Sequence, residues 1–354
     1  MHIDRRTLLL GSASLPFVAS CAGDITRLRD KPADVLATDL KVCAAAYVVL
    51  RAGIPGRPTL VSGCADARAQ ADAIFQAASL TKPVVAFAAL RLAQAGRLDL
   101  DAPVARYLPD GYRHFQSPLQ RSAGDAHDLV PAAVLRRVSV AQLLNHSAGF
   151  PNWSSGTLAL ASEPGQAWSY SGEGFVLLQS VIESVTRMDL AAHLDQQVFT
   201  PLGMADSSLV WRDAFGDRAV RGRSALGFQQ RVQFHSALAA ASLYTTAADY
   251  ARFMAALLAD GELVARTLAK PVEVDRALGL QWGLGWGIER AQGGPYLWQW
   301  GNNPGFRAFA MASASSGDGF VVFTNSERGM PIAASIAQRV LPAEHNAFRF
   351  SWVA

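Results

Sequence analysis

Residues 79–90 read SLTKPVVAFAAL, with a serine and a lysine three positions apart at the head of an apolar segment. Proline is tolerated only near the start of a helix, so Pro83 predicts a helix that begins close to Ser79. Positions i and i+3 share one helix face, which puts the Lys82 amine one turn from the Ser79 hydroxyl. The pair predicts a serine nucleophile with a lysine base beside it.

The scarcity of lysine supports this interpretation. Among 32 basic residues only four are lysines: Lys31, Lys41, Lys82 and Lys270. Arginine cannot lose its proton in a protein, whereas a buried lysine can. To act as a base near neutral pH, Lys82 needs a pKa lowered from about 10.4 toward 7, which is about 4 to 5 kcal/mol. The alternative is a helix-capping serine beside an ordinary surface lysine.

The N-terminal 21 residues predict export. Arg5 and Arg6 precede a short apolar run that ends in small residues before Cys21. The run is too short, and too rich in Gly, Ser and Pro, for a membrane-spanning helix. We expect residues 1–21 to be an export signal of twin-arginine type with a lipoprotein-type cleavage box. A lipid on Cys21 would then anchor a periplasmic protein to the membrane; the alternative is a plain signal peptide with an incidental cysteine.

Composition excludes several other classes. The net charge is only +3, and the arginines are scattered, so no nucleic-acid partner is expected. The seven histidines follow no metal-ligand spacing, so we expect no metal and no cofactor. The chain has no Gly-x-Ser-x-Gly elbow, which argues against a Ser–His–Asp triad. We therefore interpret His146 as a structural residue that ends its helix and satisfies backbone carbonyls.

Two further cysteines, Cys43 and Cys64, flank a predicted hairpin. With the turn placed at residues 53–56, Cys43 would lie opposite Ala67 rather than Cys64. An exported protein permits a disulfide, but this register disfavours one. The sequence therefore leaves open whether Cys43 and Cys64 form a disulfide.

The order of predicted elements indicates an α+β fold. Half of the chain is apolar, and a mature chain of about 330 residues suits two intimately packed subdomains. We expect one antiparallel five-stranded sheet, flanked by helices, with a mostly helical subdomain inserted between its strands. The predicted strands cover about 42–51, 58–64, 296–301, 306–314 and 319–325. The hydrolase domain would span 22–354, with a sheet subdomain at about 22–100 and 265–354 and a helical subdomain at about 101–264.

Three other motifs accompany the Ser-x-x-Lys pair. They are Tyr170-Ser171-Gly172, LLNHSAGF at 143–150 and WQWGNNPGF at 298–306. In this order the chain, over roughly 40–340, resembles the serine β-lactamase-like family. That family holds class C β-lactamases, penicillin-binding peptidases and related esterases. The resemblance implies their β-lactamase/transpeptidase-like fold, an acylated Ser79, Lys82 as its base, and Tyr170 as a proton shuttle.

The third motif departs from the family pattern. Gln299-Trp300-Gly301 stands where the family has Lys-Thr-Gly or His-x-Gly, and the resemblance assigns the oxyanion hole to the backbone N–H groups of Ser79 and Asn302. The Lys and Thr would bind a substrate carboxylate, so their loss favours a neutral or apolar acyl group. Arg307 lies close in sequence and is a candidate to replace the positive charge of the missing lysine. Tryptophans such as Trp153 could be core or pocket wall, and Trp300 is the favoured pocket wall because it lies inside the third motif.

These residues predict an exported serine hydrolase that cleaves an ester or amide through an acyl-enzyme on Ser79. The substrate would be a small ester, an amide or a cell-wall peptide. One alternative is a β-lactamase or D-alanyl-D-alanine carboxypeptidase, which the missing lysine disfavours. Another is a non-catalytic penicillin-recognising or cell-wall-binding protein, which Ser79, Lys82 and Tyr170 together disfavour. The sequence leaves the oligomeric state open.

Overall fold

The computed structural model describes residue 25 and the ranges 27–65, 70–117, 124–230 and 232–353. Its centre is a nine-stranded antiparallel sheet whose strands lie side by side in the order 272–275, 280–282, 287–291, 294–303, 306–313, 319–324, 45–51 and 54–55, with 59–61 also paired to 45–51. The predicted export signal and Cys21 lie outside the described residues.

The strands have these bounds: β1 Ala45–Arg51, β2 Ile54–Pro55, β3 Thr59–Val61, β4 Phe75–Gln76, β5 Tyr112–Phe115, β6 His127–Val130, β7 Gly222–Arg223, β8 Gln229–Gln230, β9 Tyr244–Thr245, β10 Val272–Asp275, β11 Leu280–Trp282, β12 Gly287–Ala291, β13 Gly294–Asn303, β14 Phe306–Ser313 and β15 Gly319–Thr324. The α-helices are α1 Ala33–Leu40, α2 Thr81–Gln94, α3 Ala132–Leu135, α4 Val140–Leu144, α5 Gly172–Thr186, α6 Leu190–Leu194, α7 Ala247–Ala259, α8 Gly261–Ala269 and α9 Met330–Val340. Short 3₁₀ turns occupy Ala78–Leu80, Val104–Arg106, Asp213–Arg218 and Asn346–Arg349, and one π turn occupies Asp195–Phe199.

All five predicted strands lie in this sheet, as β1, β3, β13, β14 and β15. The sheet nevertheless has nine strands rather than five, because β2 and β10–β12 add to its two ends. These extra strands are two to five residues long, and β10 carries acidic residues with little burial. Segments this short and polar give no recognisable period-2 pattern, so they are identified only by their pairing.

The hairpin between β1 and β3 corrects the predicted register. Its tight turn is Ala52-Gly53, with Arg51 paired to Ile54, rather than residues 53–56. Both turn residues have positive φ, +49° and +78°, as a two-residue primed turn requires. With the turn moved toward β1, Ala45 pairs with Val61, so that Cys43 lies near Gly63 and its neighbour Cys64, and the two cysteines form a disulfide with Cα atoms 4.7 Å apart. The disulfide that the sequence disfavoured is therefore present.

Helices cover both faces of the sheet. Ala308 and Ala310 of β14 face the main core, where α7 packs against β1 and β15. Phe309 and Met311 face the opposite side, where α9 packs against β14, β15 and α1. Small residues on the first face allow close packing of the helices there.

Helix α2 lies inside the protein. Every residue from Thr81 to Leu90 is buried. A helix that is apolar on all sides belongs in a core, so the predicted apolar run behaves as its composition requires. The first turn of this helix carries Lys82 into the interior. Among the described residues, no helix combines the length and hydrophobicity needed to cross a bilayer.

Candidate active site

The Ser79 hydroxyl projects from a constrained turn. The 3₁₀ turn Ala78–Leu80 precedes α2, and Ala78 has φ +50°, a conformation that costs energy for a residue with a Cβ. Thr81 holds this turn in place: its hydroxyl donates to the Ala78 carbonyl at 2.6 Å and accepts from the Leu243 N–H at 3.0 Å. Ser79 itself is only half-buried, so the turn presents its hydroxyl to the surface.

Lys82 is buried beside that hydroxyl, as the spacing predicts. Its Nζ lies 3.0 Å from Ser79 Oγ and donates to the Ala240 carbonyl at 2.9 Å. The amine also lies 4.7 Å from the centre of the Tyr170 ring and 5.8 Å from that of Phe175. Burial disfavours the charged amine and lowers its pKa from 10.5 to about 7. A substantial fraction of Lys82 is therefore neutral at physiological pH.

Tyr170 is the third residue of the site, beside Ser79 and Lys82. Its hydroxyl faces the Ser79 side chain, which acts to lower its pKa, and it accepts a hydrogen bond from Gln299 Nε2 at 3.1 Å. The same Nε2 donates to the Trp300 carbonyl at 2.8 Å, and this contact fixes the amide orientation because a carbonyl can only accept. Burial raises the Tyr170 pKa despite these hydrogen bonds, so the phenol keeps its proton at neutral pH.

These contacts give the hydrogen bonds a direction. Gln299 donates to the Tyr170 oxygen, which leaves the phenolic proton to point at Ser79. A neutral amine that donates one hydrogen to Ala240 can turn its lone pair to the Ser79 proton. Lys82 is therefore placed to accept a proton from Ser79, and Tyr170 to donate one.

His146 has the structural position expected of it, but with a different partner. Its φ is +60° just after α4, and its Nδ1 accepts from the Ser171 N–H at 3.1 Å instead of serving a carbonyl. Burial, followed by the charge of Lys82, lowers its pKa well below the usual value. The neutral ring packs 4.4 Å from the Tyr170 ring. It therefore supports the tyrosine and aligns the second motif.

The part of strand β13 that contains Gly301 lies directly against the 3₁₀ turn that carries Ser79. Position 301 requires glycine, because a Cβ there would lie 2.5 Å from the Ala77 carbonyl oxygen and 3.2 Å from the Ala78 Cβ. Asn302, the next residue, is exposed. The approach that glycine allows thus brings the turn of Ser79 against the strand of Asn302, whose N–H groups the resemblance assigns to an oxyanion hole.

A buried network positions the loop in front of the second motif. His114 Nδ1 lies 2.7 Å from Asp128 Oδ1, and its Nε2 lies 3.4 Å from Glu173 Oε2. Glu173 in turn accepts from the Ser154 N–H at 2.9 Å. The neighbouring Trp153, 42% exposed, covers Gly172, where a Cβ would lie 2.8 Å from its ring. Trp153 is thus an available pocket wall, and the glycine that replaces the family's asparagine makes room for it.

Two predicted substrate contacts are located differently. Strand alternation puts Trp300 on the face opposite Gln299, where it is 3% exposed and packs 4.6 Å from the Tyr170 ring. It supports Tyr170 from behind instead of forming an open wall. Arg307 pairs with Asn302 across the hairpin, and its guanidinium donates to the carbonyls of Asn303 and Phe306. It does not replace the missing lysine beside Gln299.

Some residues of the site could not be predicted from the sequence. The Ala240 carbonyl, which accepts from Lys82, is 158 residues away along the chain, and a backbone acceptor leaves no sequence signal. His114 gave no signal either, since its partners Asp128 and Glu173 are scattered. Within the described ranges, no group of three or more His, Cys, Asp or Glu residues could hold a metal ion.

Known proteins agree with this architecture. The D-alanine carboxypeptidase AmpC from Burkholderia cenocepacia superimposes with a TM-score of 0.71 over 90% of this chain and 99% of its own, at 17% identity. Esterase EstB from Burkholderia gladioli is 33% identical over 169 residues, which is 39% of each chain. Lovastatin esterase from Penicillium rubens is 27% identical over 270 residues, 62% of each chain. The matched regions cover less than two thirds of the length of each of these two esterases.

These similarities confirm the predicted fold, α+β and β-lactamase/transpeptidase-like. The Beta-lactamase family model matches residues 41–344, which is most of the chain and contains all the motifs described above. The chain belongs to the Beta-lactamase family.

Proposed function

We propose that this protein is an esterase that forms an acyl-enzyme on Ser79 and prefers uncharged substrates. One observation carries the proposal: the Ser79 hydroxyl lies 3.0 Å from a buried lysine amine with a pKa of about 7. A general base is most effective when its pKa is near the working pH, and its contribution is about 10²–10⁴ in rate. The tyrosine on the other side of the hydroxyl keeps its proton and is placed to donate it to the leaving group.

In the proposed reaction Ser79 Oγ attacks the ester carbonyl carbon and its proton passes to Lys82. The backbone N–H groups of Ser79 and Asn302 stabilise the oxyanion, at about 10²–10³ in rate for each donor. The carbon–oxygen bond to the alcohol then breaks, and the departing oxygen takes the Tyr170 proton. The Lys82 ammonium returns a proton to Tyr170. Water then attacks the acyl group by the same steps and releases the acid and free Ser79.

Gln299 supports the preference for uncharged substrates. Where related enzymes have a lysine, this chain has a neutral amide that is fully buried and occupied by Tyr170 and the Trp300 carbonyl. A substrate carboxylate would find no cation at this position. Relatives named esterases, in a bacterium and a fungus, are consistent with ester substrates.

The test compares three substrates on the purified protein: p-nitrophenyl butyrate, nitrocefin and a D-alanyl-D-alanine peptide. We expect turnover of the ester, a rate that rises with pH around an apparent pKa of about 7, and loss of both in Ser79→Ala. Ser316→Ala, in the exposed turn between β14 and β15, is the matched control. Intact mass should detect a transient adduct on Ser79. Faster turnover of nitrocefin or the peptide would favour the alternative activities, and a persistent adduct or none would favour a non-catalytic protein.

We also propose that the protein is exported to the periplasm and held at the membrane by a lipid on Cys21. The support is the pair Arg5-Arg6, the short apolar run and the small residues before Cys21. The Cys43–Cys64 disulfide suits an oxidising compartment. Expression of the full chain should give a membrane-bound form without residues 1–20, and Cys21→Ser should release it or leave the signal uncleaved. A cytosolic, full-length product would contradict the proposal.

A further inference from the structure

The C-terminal segment, residues 346–353, is firmly attached beside the active site. Glu289 accepts hydrogen bonds from the N–H groups of Asn346 and Ala347, at 2.6 and 3.2 Å. Phe348 packs against Phe309 with ring centres 4.5 Å apart. These contacts, far apart in sequence, fix the direction in which the last residues leave the sheet.

The same segment then crosses the aromatic residues behind Tyr170. Phe350 is buried against Trp298, Trp300 and Trp168, with ring centres 5.9 to 6.0 Å apart. Val353 is also buried, at 4% exposure. Trp352 lies between these two anchors, so its backbone is held on both sides.

Trp352 is placed against the catalytic tyrosine but keeps an open face. Its ring centre is 5.6 Å from that of Tyr170 and 6.2 Å from that of Trp300. Tyr170 is 5% exposed, whereas Trp352 is 46% exposed. A large indole surface is thus available to solvent beside the ring of Tyr170, whose hydroxyl faces Ser79. Rigidly held and exposed aromatic surface next to reactive groups is typical of a binding wall.

We propose that Trp352 is a specificity-determining residue that stacks on the alcohol part of the ester. The inference rests on the proposed function, in which the alcohol oxygen departs toward the Tyr170 proton. The group attached to that oxygen therefore lies on the Tyr170 side of the site, where Trp352 presents its ring. The preferred substrates are esters of aromatic or bulky apolar alcohols, because flat apolar groups make favourable stacking contacts with an indole face.

The test compares benzyl acetate with ethyl acetate, which share an acyl group and release alcohols of similar acidity. Trp352→Ala should lower kcat/KM about tenfold more for the benzyl ester than for the ethyl ester, the size of one good aromatic contact. The loss should be mainly in KM for the benzyl ester. Trp352→Phe should restore most of the difference. Phe228→Ala, which removes a 68% exposed ring on the β7–β8 hairpin, is the control and should leave both rates unchanged.

Other outcomes separate this inference from the proposed function. If the wild-type protein hydrolyses neither ester, the proposed function fails. If it hydrolyses both and Trp352→Ala reduces them equally, Trp352 only shields Tyr170 from water and the inference is wrong. Thermal unfolding of each variant, together with the ethyl ester rate, identifies a variant that has lost its fold, and Trp352→Phe then decides the question by its benzyl-to-ethyl ratio.

Discussion

Replacement of Lys82 by methionine should make the protein inactive and, at neutral pH, more stable. Folding takes the Lys82 amine out of water, and burial lowers its pKa from 10.5 to about 7. One pKa step corresponds to 1.36 kcal/mol, so this burial costs about 5 kcal/mol of folding free energy at pH 7. Methionine is unbranched, apolar and of similar length, so it removes this cost with little change in packing.

The gain is partly offset. The variant loses the hydrogen bond to the Ala240 carbonyl and the contact with Ser79 Oγ, and a buried carbonyl without a donor costs about 1–3 kcal/mol. We therefore expect Lys82→Met to raise the free energy of unfolding by about 2–4 kcal/mol at pH 7. The catalytic lysine would thus be an example of stability given up for activity.

The pH dependence identifies the cause. Between pH 7 and 10.5 the unfolded chain keeps the Lys82 proton and the folded protein does not, so wild-type stability rises by about 1.4 kcal/mol per pH unit. The methionine variant lacks this contribution. Its advantage should be constant below pH 7, shrink as the pH rises, disappear between about pH 8.5 and 10, and reverse above that because the lost hydrogen bonds remain.

The measurement is urea unfolding of both proteins at several pH values between 6 and 10. Lys270→Met replaces an exposed lysine at the end of α8 and serves as the control for a change in net charge. A stability difference that stays constant from pH 7 to 10 would refute burial of a neutral amine as its cause. A variant less stable than wild type at pH 7 would refute the magnitude.

Two further changes test other parts of the site, and a third tests the disulfide. Gln299→Lys should lower the Tyr170 pKa, because a cation favours the phenolate, and raise kcat/KM for nitrocefin relative to p-nitrophenyl butyrate; an unchanged ratio contradicts it. Gly301→Val should reduce kcat at least about tenfold with little effect on KM, because its Cβ would lie 2.5 Å from a carbonyl oxygen of the nucleophile turn and displace the oxyanion donors; equal losses in binding would argue otherwise. Replacing both Cys43 and Cys64 by serine should lower the free energy of unfolding by about 3 kcal/mol, as expected for partners 21 residues apart, and a reductant should destabilise wild type but not the variant.

The main helices and strands could be predicted because their signals are local. The helix that follows Ser79 and the neighbouring strands β13 and β14 each follow from residues close in sequence. Strands β10–β12 could not be predicted, since three to five residues carry no period and pairing alone holds them in the sheet. The disulfide was disfavoured for a similar reason: a turn displaced by two residues alters the register of every pair beyond it.

In the candidate site, too, one part could be predicted from the sequence and another part depends on the tertiary structure. The sequence by itself determined that Ser79 and Lys82 meet, because the pitch of a helix fixes the distance between positions i and i+3. Only the tertiary structure decided that the pKa of Lys82 falls to about 7, since this shift comes from burial of the amine among distant segments, which include the Tyr170 and Phe175 rings. The tertiary structure also placed Trp352 beside Tyr170. Helical periodicity acts between neighbours in the chain, whereas desolvation and ring contacts depend on which distant segments pack together.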